Sequence, residues 1–250
     1  MSINKGTITV IIIMTVIVSI GIIIAYLYYD SINKAEDPRI IEAKYQYKKY
    51  NVFVQKNDYK SVFATLDTIE NIYSQFADYQ RSYEIGVVYN NKSAVWLTSA
   101  LIKASNEQEN QSDLDSAKKY SEKSIIIYDN WIKEFGYLSK ENILKKVKDY
   151  YIINHISFEN NEIDKIIEKR VDDILTAQTE TIKRLSVAYT NLGIIQRHNS
   201  EYDNAIASYK KALELWVGNR NAKNNVNILL GRPIEEATMI EKLFPEEKDK

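Results

Sequence analysis

Apolar residues recur along this chain at intervals of three and four, and almost nowhere do they alternate singly with polar ones. From Pro38 to about Arg232 this spacing predicts helix after helix. The breaks are short and polar: "QKND" at 55–58, "SNEQENQSD" at 105–113, "FGYLS" at 135–139, "SFENNE" at 157–162 and "RHNSE" at 197–201. Asp37-Pro38 predicts the first helix start, with proline at its first position. Gly218 and Gly231 stand where helix ends favour the left-handed conformation, and Pro233 follows the second. The run from Ile163 to Leu192 keeps helical spacing without glycine or proline. It reads as one very long helix or as two helices joined tightly near "TAQTET" at 176–181.

The first thirty residues follow a different pattern. No charge occurs between Gly6 and Tyr29, and about 20 apolar residues at 1.5 Å each cross a ~30 Å hydrocarbon layer. Tyr26, Tyr28 and Tyr29 cluster at the far end, where amphipathic rings favour the headgroups. Residues 7–29 are therefore predicted to be a transmembrane anchor behind a 1–6 tail, with a 30–37 linker after it. A cleaved signal peptide would have a shorter apolar run. Here Ser19 and Gly21 have the right sizes, but apolar sequence continues through Leu27. Lys34, Arg39 and Lys44 against Lys5 argue for a cytoplasmic domain. The tiny tail before a single anchor argues for an exported one, which is the expectation adopted.

One stretch is more specific than its periodicity. In "AYTNLGIIQRHNSEYDNAIASYKKALEL" (188–215), Tyr189, Leu192, Gly193 and Gln196 share one helix face. After the turn, Tyr202, Ala205, Tyr209 and Ala212 share a face of the next, with Ser200 as a candidate N-cap. Glycine permits close approach, and alternating alanine and tyrosine interlock across it. This spacing closely resembles the tetratricopeptide repeat, a helical hairpin of about 34 residues. Gln196 departs from the usual second aromatic, and Val217 from the usual proline.

Such a repeat cannot bury its own face, so companions are required. "KNDYKSVFATLDTI" (56–69) repeats the second-helix spacing with Tyr59, Val62, Leu66 and Ile69, behind the first helix "YQYKKYNVFVQ" (45–55). "YNNKSAVW" (89–96) aligns with "YTNLGIIQ", placing Lys92-Ser93 at the Leu-Gly position. Its partner helix, with Ala117, Ser121 and Ser124, comes late, after the polar insert 105–113. Because the repeat needs its own first helix, the junction near 176–181 is the preferred reading. The expected architecture is all-α: a transmembrane helix, then a repeat domain over 38–232 with its best repeat at 186–219, a capping helix at 220–231, and an acidic tail at 233–250. An irregular helical bundle is the alternative.

Chemistry is sparse. Lys plus Arg (33) balances Asp plus Glu (34), so the chain lacks the basic field of a nucleic-acid binder. With no cysteine, disulfides and thiolate sites are excluded. No phosphate-binding glycine loop or paired-histidine metal motif is present. His155 and Glu159 lie four apart with nothing to complete a metal site, and His198 falls in a turn. Asp164, Glu168 and Asp172 lie among Lys165, Lys169 and Arg170, as on a solvated face. No enzyme, cofactor or metal is expected.

The resemblance implies a right-handed stack whose first helices line a concave groove for a protein or peptide. Asn91 and Asn191, each two residues after a tyrosine, occupy the place where an asparagine can hold a ligand's backbone amide. Asn90, Thr190, Ile194 and Arg197 are expected to look into the same groove. Two functions fit: a membrane-anchored adaptor, or a structural subunit packing against itself or a permanent partner.

Overall fold

The computed structural model of the protein describes residues 35–102, 107–154, 156 and 163–236. The predicted anchor at 7–29, the 1–6 tail, most of the 30–37 linker, His155, Glu159 and the tail from 237 lie outside the described residues. Those described form eight helices: α1 (Ile41–Gln55), α2 (Tyr59–Tyr73), α3 (Tyr83–Ile102), α4 (Glu107–Phe135), α5 (Lys140–Ile153), α6 (Ile163–His198), α7 (Tyr202–Leu215) and α8 (Arg220–Leu229). No strand occurs among the described residues. No helix among them is long and apolar enough to cross a membrane.

The chain divides into two compact units. One comprises the described residues up to 41 together with 138–175, and the other 42–137 with 176–236. In the first, Ile143, Val147 and Tyr151 of α5 are buried, as are Ile166, Ile167, Val171 and Ile174 of α6. Ser139 starts α5 by accepting the Asn142 N–H, as the "FGYLS" break predicts. The entry to α1 differs from expectation. Residues 38–40 form a turn and the helix begins at Ile41. The Asp37 carboxylate takes the Arg39 N–H at 2.9 Å, and the Ile40 N–H bonds the Asp37 carbonyl. That local competition delays the helix past Pro38.

In the second unit, two hairpins share one device. A Cβ built on Gly193 of α6 would lie 2.5 Å from Cε1 of Tyr209 on α7, whose ring is fully buried. Gly86 of α3 stands equally tightly under the buried ring of Tyr128 on α4. The earlier hairpin is therefore registered on Ile85-Gly86, two turns before the Lys92-Ser93 pair that the alignment put at the Leu-Gly position. Ser93 does a different job, donating its hydroxyl to the Ala117 carbonyl at 2.9 Å. Around these contacts Leu97, Ala100, Leu114, Ala117 and Ile195 form one apolar cluster. A second joins Ile125, Tyr128, Leu185, Ala188 and Leu192.

The hairpin turns at 55–58 and 197–201 are built alike. Asn57 and Ser200 both adopt positive φ (55° and 62°). The next N–H, of Asp58 or Glu201, bonds the carbonyl five residues back, Phe53 or Gln196. Ser200 thus closes α6 and does not cap α7; the cap position is Glu201, whose side chain takes no N–H of the first turn. Asp58 does cap α2, accepting the Ser61 N–H. Gly231 has the expected left-handed φ of 64°. Gly218 does not, and its small size instead admits the Trp216 indole nitrogen, 2.7 Å from where a Cβ would stand.

Two further expectations are corrected. Residues 107–113 open α4 and are not loop: the stretch lacks glycine and proline, and the buried Asp113 accepts from the Ser99 hydroxyl at 2.7 Å. There is also no junction at 176–181. Ile174, Ala177, Thr181, Leu185, Ala188 and Leu192 are all buried at spacings of three and four, so one 36-residue helix keeps a single inward stripe. Gly193→Ala should destabilise the chain by about 1–3 kcal/mol from overpacking, despite a ~1 kcal/mol gain in helix propensity, and so lower its urea midpoint. Adding Tyr209→Leu should recover part of that loss, as circular dichroism would read; a neutral or stabilising Gly193→Ala would refute the close-contact account.

Candidate protein-binding groove

The candidate residues come from the two helices that carry the interhelical glycines. Asn90 on α3 and Asn191 on α6, both half-buried, meet directly: Asn191 Nδ2 donates to Asn90 Oδ1 at 3.3 Å. The pairing places α3 and α6 side by side, as the first helices of successive hairpins must be to line a common face. Asn91 is also half-buried on α3. Ile194 is partly buried against the Leu97–Ile195 cluster.

Thr190 and Arg197 lie two turns apart on α6, and both meet the segment that leads into and forms α8. Thr190 is only 3% exposed; its hydroxyl donates to the Ser186 carbonyl and accepts from Asn219 Nδ2 at 2.9 Å. Arg197 Nη1 donates to Asn225 Oδ1 at 3.0 Å. Asn90, Asn191 and Ile194 are thus held close together, whereas Thr190 is covered and Arg197 is partly engaged by the last helix. His198 beside it is exposed, and partial desolvation together with the Arg197 charge lowers its pKa.

Several residues that matter here carry no repeat motif. Asn219 is buried and its side chain makes three hydrogen bonds: Oδ1 accepts the Ala222 N–H and caps α8, while Nδ2 donates to Ser186 and Thr190 of α6. Ser186 in turn donates to the Ala212 carbonyl at 2.7 Å. One asparagine therefore ties the repeat to its last helix. The signal available in sequence was an asparagine after Gly218 at the head of a helical run, the ordinary N-cap position.

Lys92, aligned with Leu192, is buried to 2% exposure. Its ammonium reaches Asp67 Oδ1 at 2.5 Å and also bonds Glu70. Burial alone would depress its pKa, but the hydrogen bonds and charges of Asp67 and Glu70 outweigh that and leave it raised. The nearby Tyr89 hydroxyl is pushed up to about 12, first by burial and then by the Glu70 charge. Tyr89 and Tyr120 stand 6.0 Å apart, with the Lys123 ammonium 5.0 Å from the Tyr89 ring. These contacts order the α2–α3–α4 surface beside the asparagine pair.

Among the described residues no group of three or more His, Asp or Glu could hold a metal ion. In the carboxylate row on α6, Asp172 accepts from Lys140 at 3.0 Å, and the adjacent Asp173 pairs with Lys169. Residues 186–216 match the family model of the tetratricopeptide repeat. No curated protein matches the chain.

The triple role of Asn219 gives the site a measurable anchor. Asn219→Ala should cost about 1–3 kcal/mol, from a lost cap and a buried hydroxyl pair left short of a donor. Hydrogen exchange should show the loss first in α8. Unchanged exchange across 219–229 would remove Asn219 from this role.

Proposed function

We propose that the chain is a single-pass membrane protein, anchored by residues 7–29, whose tetratricopeptide-like array recruits a protein or extended peptide. Tetratricopeptide repeats act as protein-interaction scaffolds, and one is present here at 186–216. The observation that carries the reading is the side-by-side placement of α3 and α6 with Asn90 and Asn191 joined between them. Two adjoining amides offer both donors and acceptors, which is what an extended backbone requires of a receptor. Binding would exchange the 3.3 Å amide pair for bonds to the ligand, so the site is satisfied when empty and adaptable when filled. The array is read as exported, and the scaffold role requires no catalyst, metal or cofactor.

A structural subunit is the second reading, and one observation favours it. The last helix and its continuation leave Ile228, Leu230 and Ile234 largely exposed, where a terminal repeat usually turns a polar face outward. Those residues suit a second copy or a permanent neighbour.

Crosslinked capture from membranes separates the two. Wild type should retain a distinct partner that Asn90→Ala/Asn91→Ala/Asn191→Ala loses, with an unchanged unfolding midpoint. Capture of the same proteins by both, or of the chain's own copies alone, would favour the structural subunit. External protease on cells with a permeabilised outer layer should degrade the array, and sparing of it would place the array in the cytoplasm.

A further inference from the structure

The end of α5 poses a question that its own packing does not answer. The helix turns Ile143, Val147 and Tyr151 inward, yet its last two residues, Ile152 and Ile153, are 71% and 72% exposed. Within two turns before them stand Lys145, Lys146 and Lys148, all exposed, with Asp149 the acid among them. An apolar tip behind a collar of flexible cations suits an interface between hydrocarbon and headgroups, because lysine stems lie along apolar surface while their ammonium groups reach outward.

What stands beside this tip is set by covalent connection. Tyr151, adjacent to Ile152, donates its hydroxyl to Asp37 Oδ2 at 3.1 Å. Arg39 holds the same carboxylate through Nε and Nη2, donates to the Tyr151 hydroxyl at 3.3 Å, and lies 5.4 Å from the Tyr151 ring. Asp37 is only 5% exposed, so this clamp fixes the chain to the end of α5 that carries the isoleucines. Counting back, the apolar run ends at Tyr29. The steps from there to Asp37 span at most about 29 Å when fully extended. The tip is therefore leashed within reach of whatever surface the apolar segment enters.

We propose that Ile152 and Ile153 dock into the interfacial layer of the bilayer that holds residues 7–29, with Lys145 and Lys148 reaching the headgroup phosphates. This rests on the anchored reading above and adds a second contact point to it. Two isoleucines would bind a free membrane poorly. A short tether makes their encounter intramolecular, and the raised effective concentration is what lets a small apolar tip hold. A protein partner at the tip would need its own affinity, whereas the bilayer is supplied by the chain itself.

The test uses the full chain, which has no native cysteine and so labels cleanly at an introduced one. Asn154→Cys keeps both isoleucines, and Ile126→Cys provides an exposed control on α4. Each carries an environment-sensitive fluorophore and is reconstituted in vesicles of phosphatidylcholine and phosphatidylglycerol. At residue 154 the emission should shift to the blue, respond to a lipid-borne quencher and resist aqueous iodide. At residue 126 it should do none of these. Ile152→Asp/Ile153→Asp in the Asn154→Cys chain should abolish the protection. If the protein floats with vesicles while iodide reaches both positions equally, the docking is overturned and the anchor stands. A blue shift that the lipid quencher does not touch would mean a protein contact and would also overturn it. Failure to float would defeat the anchor and this inference together.

Discussion

Two glycines, each pressed beneath a buried tyrosine ring, set the spacing on which the larger unit depends. Gly193 under Tyr209 and Gly86 under Tyr128 bring helices to a separation that any Cβ would forbid. The rings fill the space and their hydroxyls are left without partners among the described residues. Burial raises both phenol pKa values, to about 12 for Tyr209. A buried, unpaired hydroxyl costs about 1–3 kcal/mol. It is tolerated because the aromatic ring buries far more surface than the hydroxyl forfeits. Once the pairs of helices are this close, small residues such as Ala188, Ala205 and Ala212 become necessary on the facing stripes, and all three are fully buried.

The turns serve the same end by another route. With few glycines available, the chain places Asn57 and Ser200 in the left-handed conformation, and the same six-residue closure follows at each. Repetition in this fold therefore lies in backbone geometry more than in side-chain identity. Asn219 then carries the order one helix further, converting the exposed end of a repeat into a capped and hydrogen-bonded one.

Much of the fold was legible in the sequence because helical period and hairpin breaks are local signals. The repeat at the carboxyl end was readable to its individual positions, since Gly193, Tyr209 and the alanines are each required by one contact. The earlier hairpin misled because Tyr89-Asn90-Asn91 imitates Tyr189-Thr190-Asn191, while the true packing register rests on Gly86 and a tyrosine 42 residues away. A pairing at that distance leaves no local trace. Of the candidate residues, spacing matched Asn91 with Asn191, yet the amide that Asn191 meets is that of Asn90, one position earlier. The covering of Thr190 was not readable either, because it depends on Asn219, which arrives from a segment with no motif of its own.

The unbroken α6 has a consequence for how such a protein changes over generations. In a regular array each hairpin is a cassette, bounded by turns, that can be duplicated or deleted without disturbing its neighbours. Here the segment recognised as a repeat begins partway along a 36-residue helix, whose earlier turns bury Ile166, Ile167, Val171 and Ile174 in the other unit. No turn marks the place to cut. A duplication starting at that repeat would splice mid-helix and expose one stripe or the other. The chain has given up modular growth, and its number of hairpins is frozen by a single continuous helix.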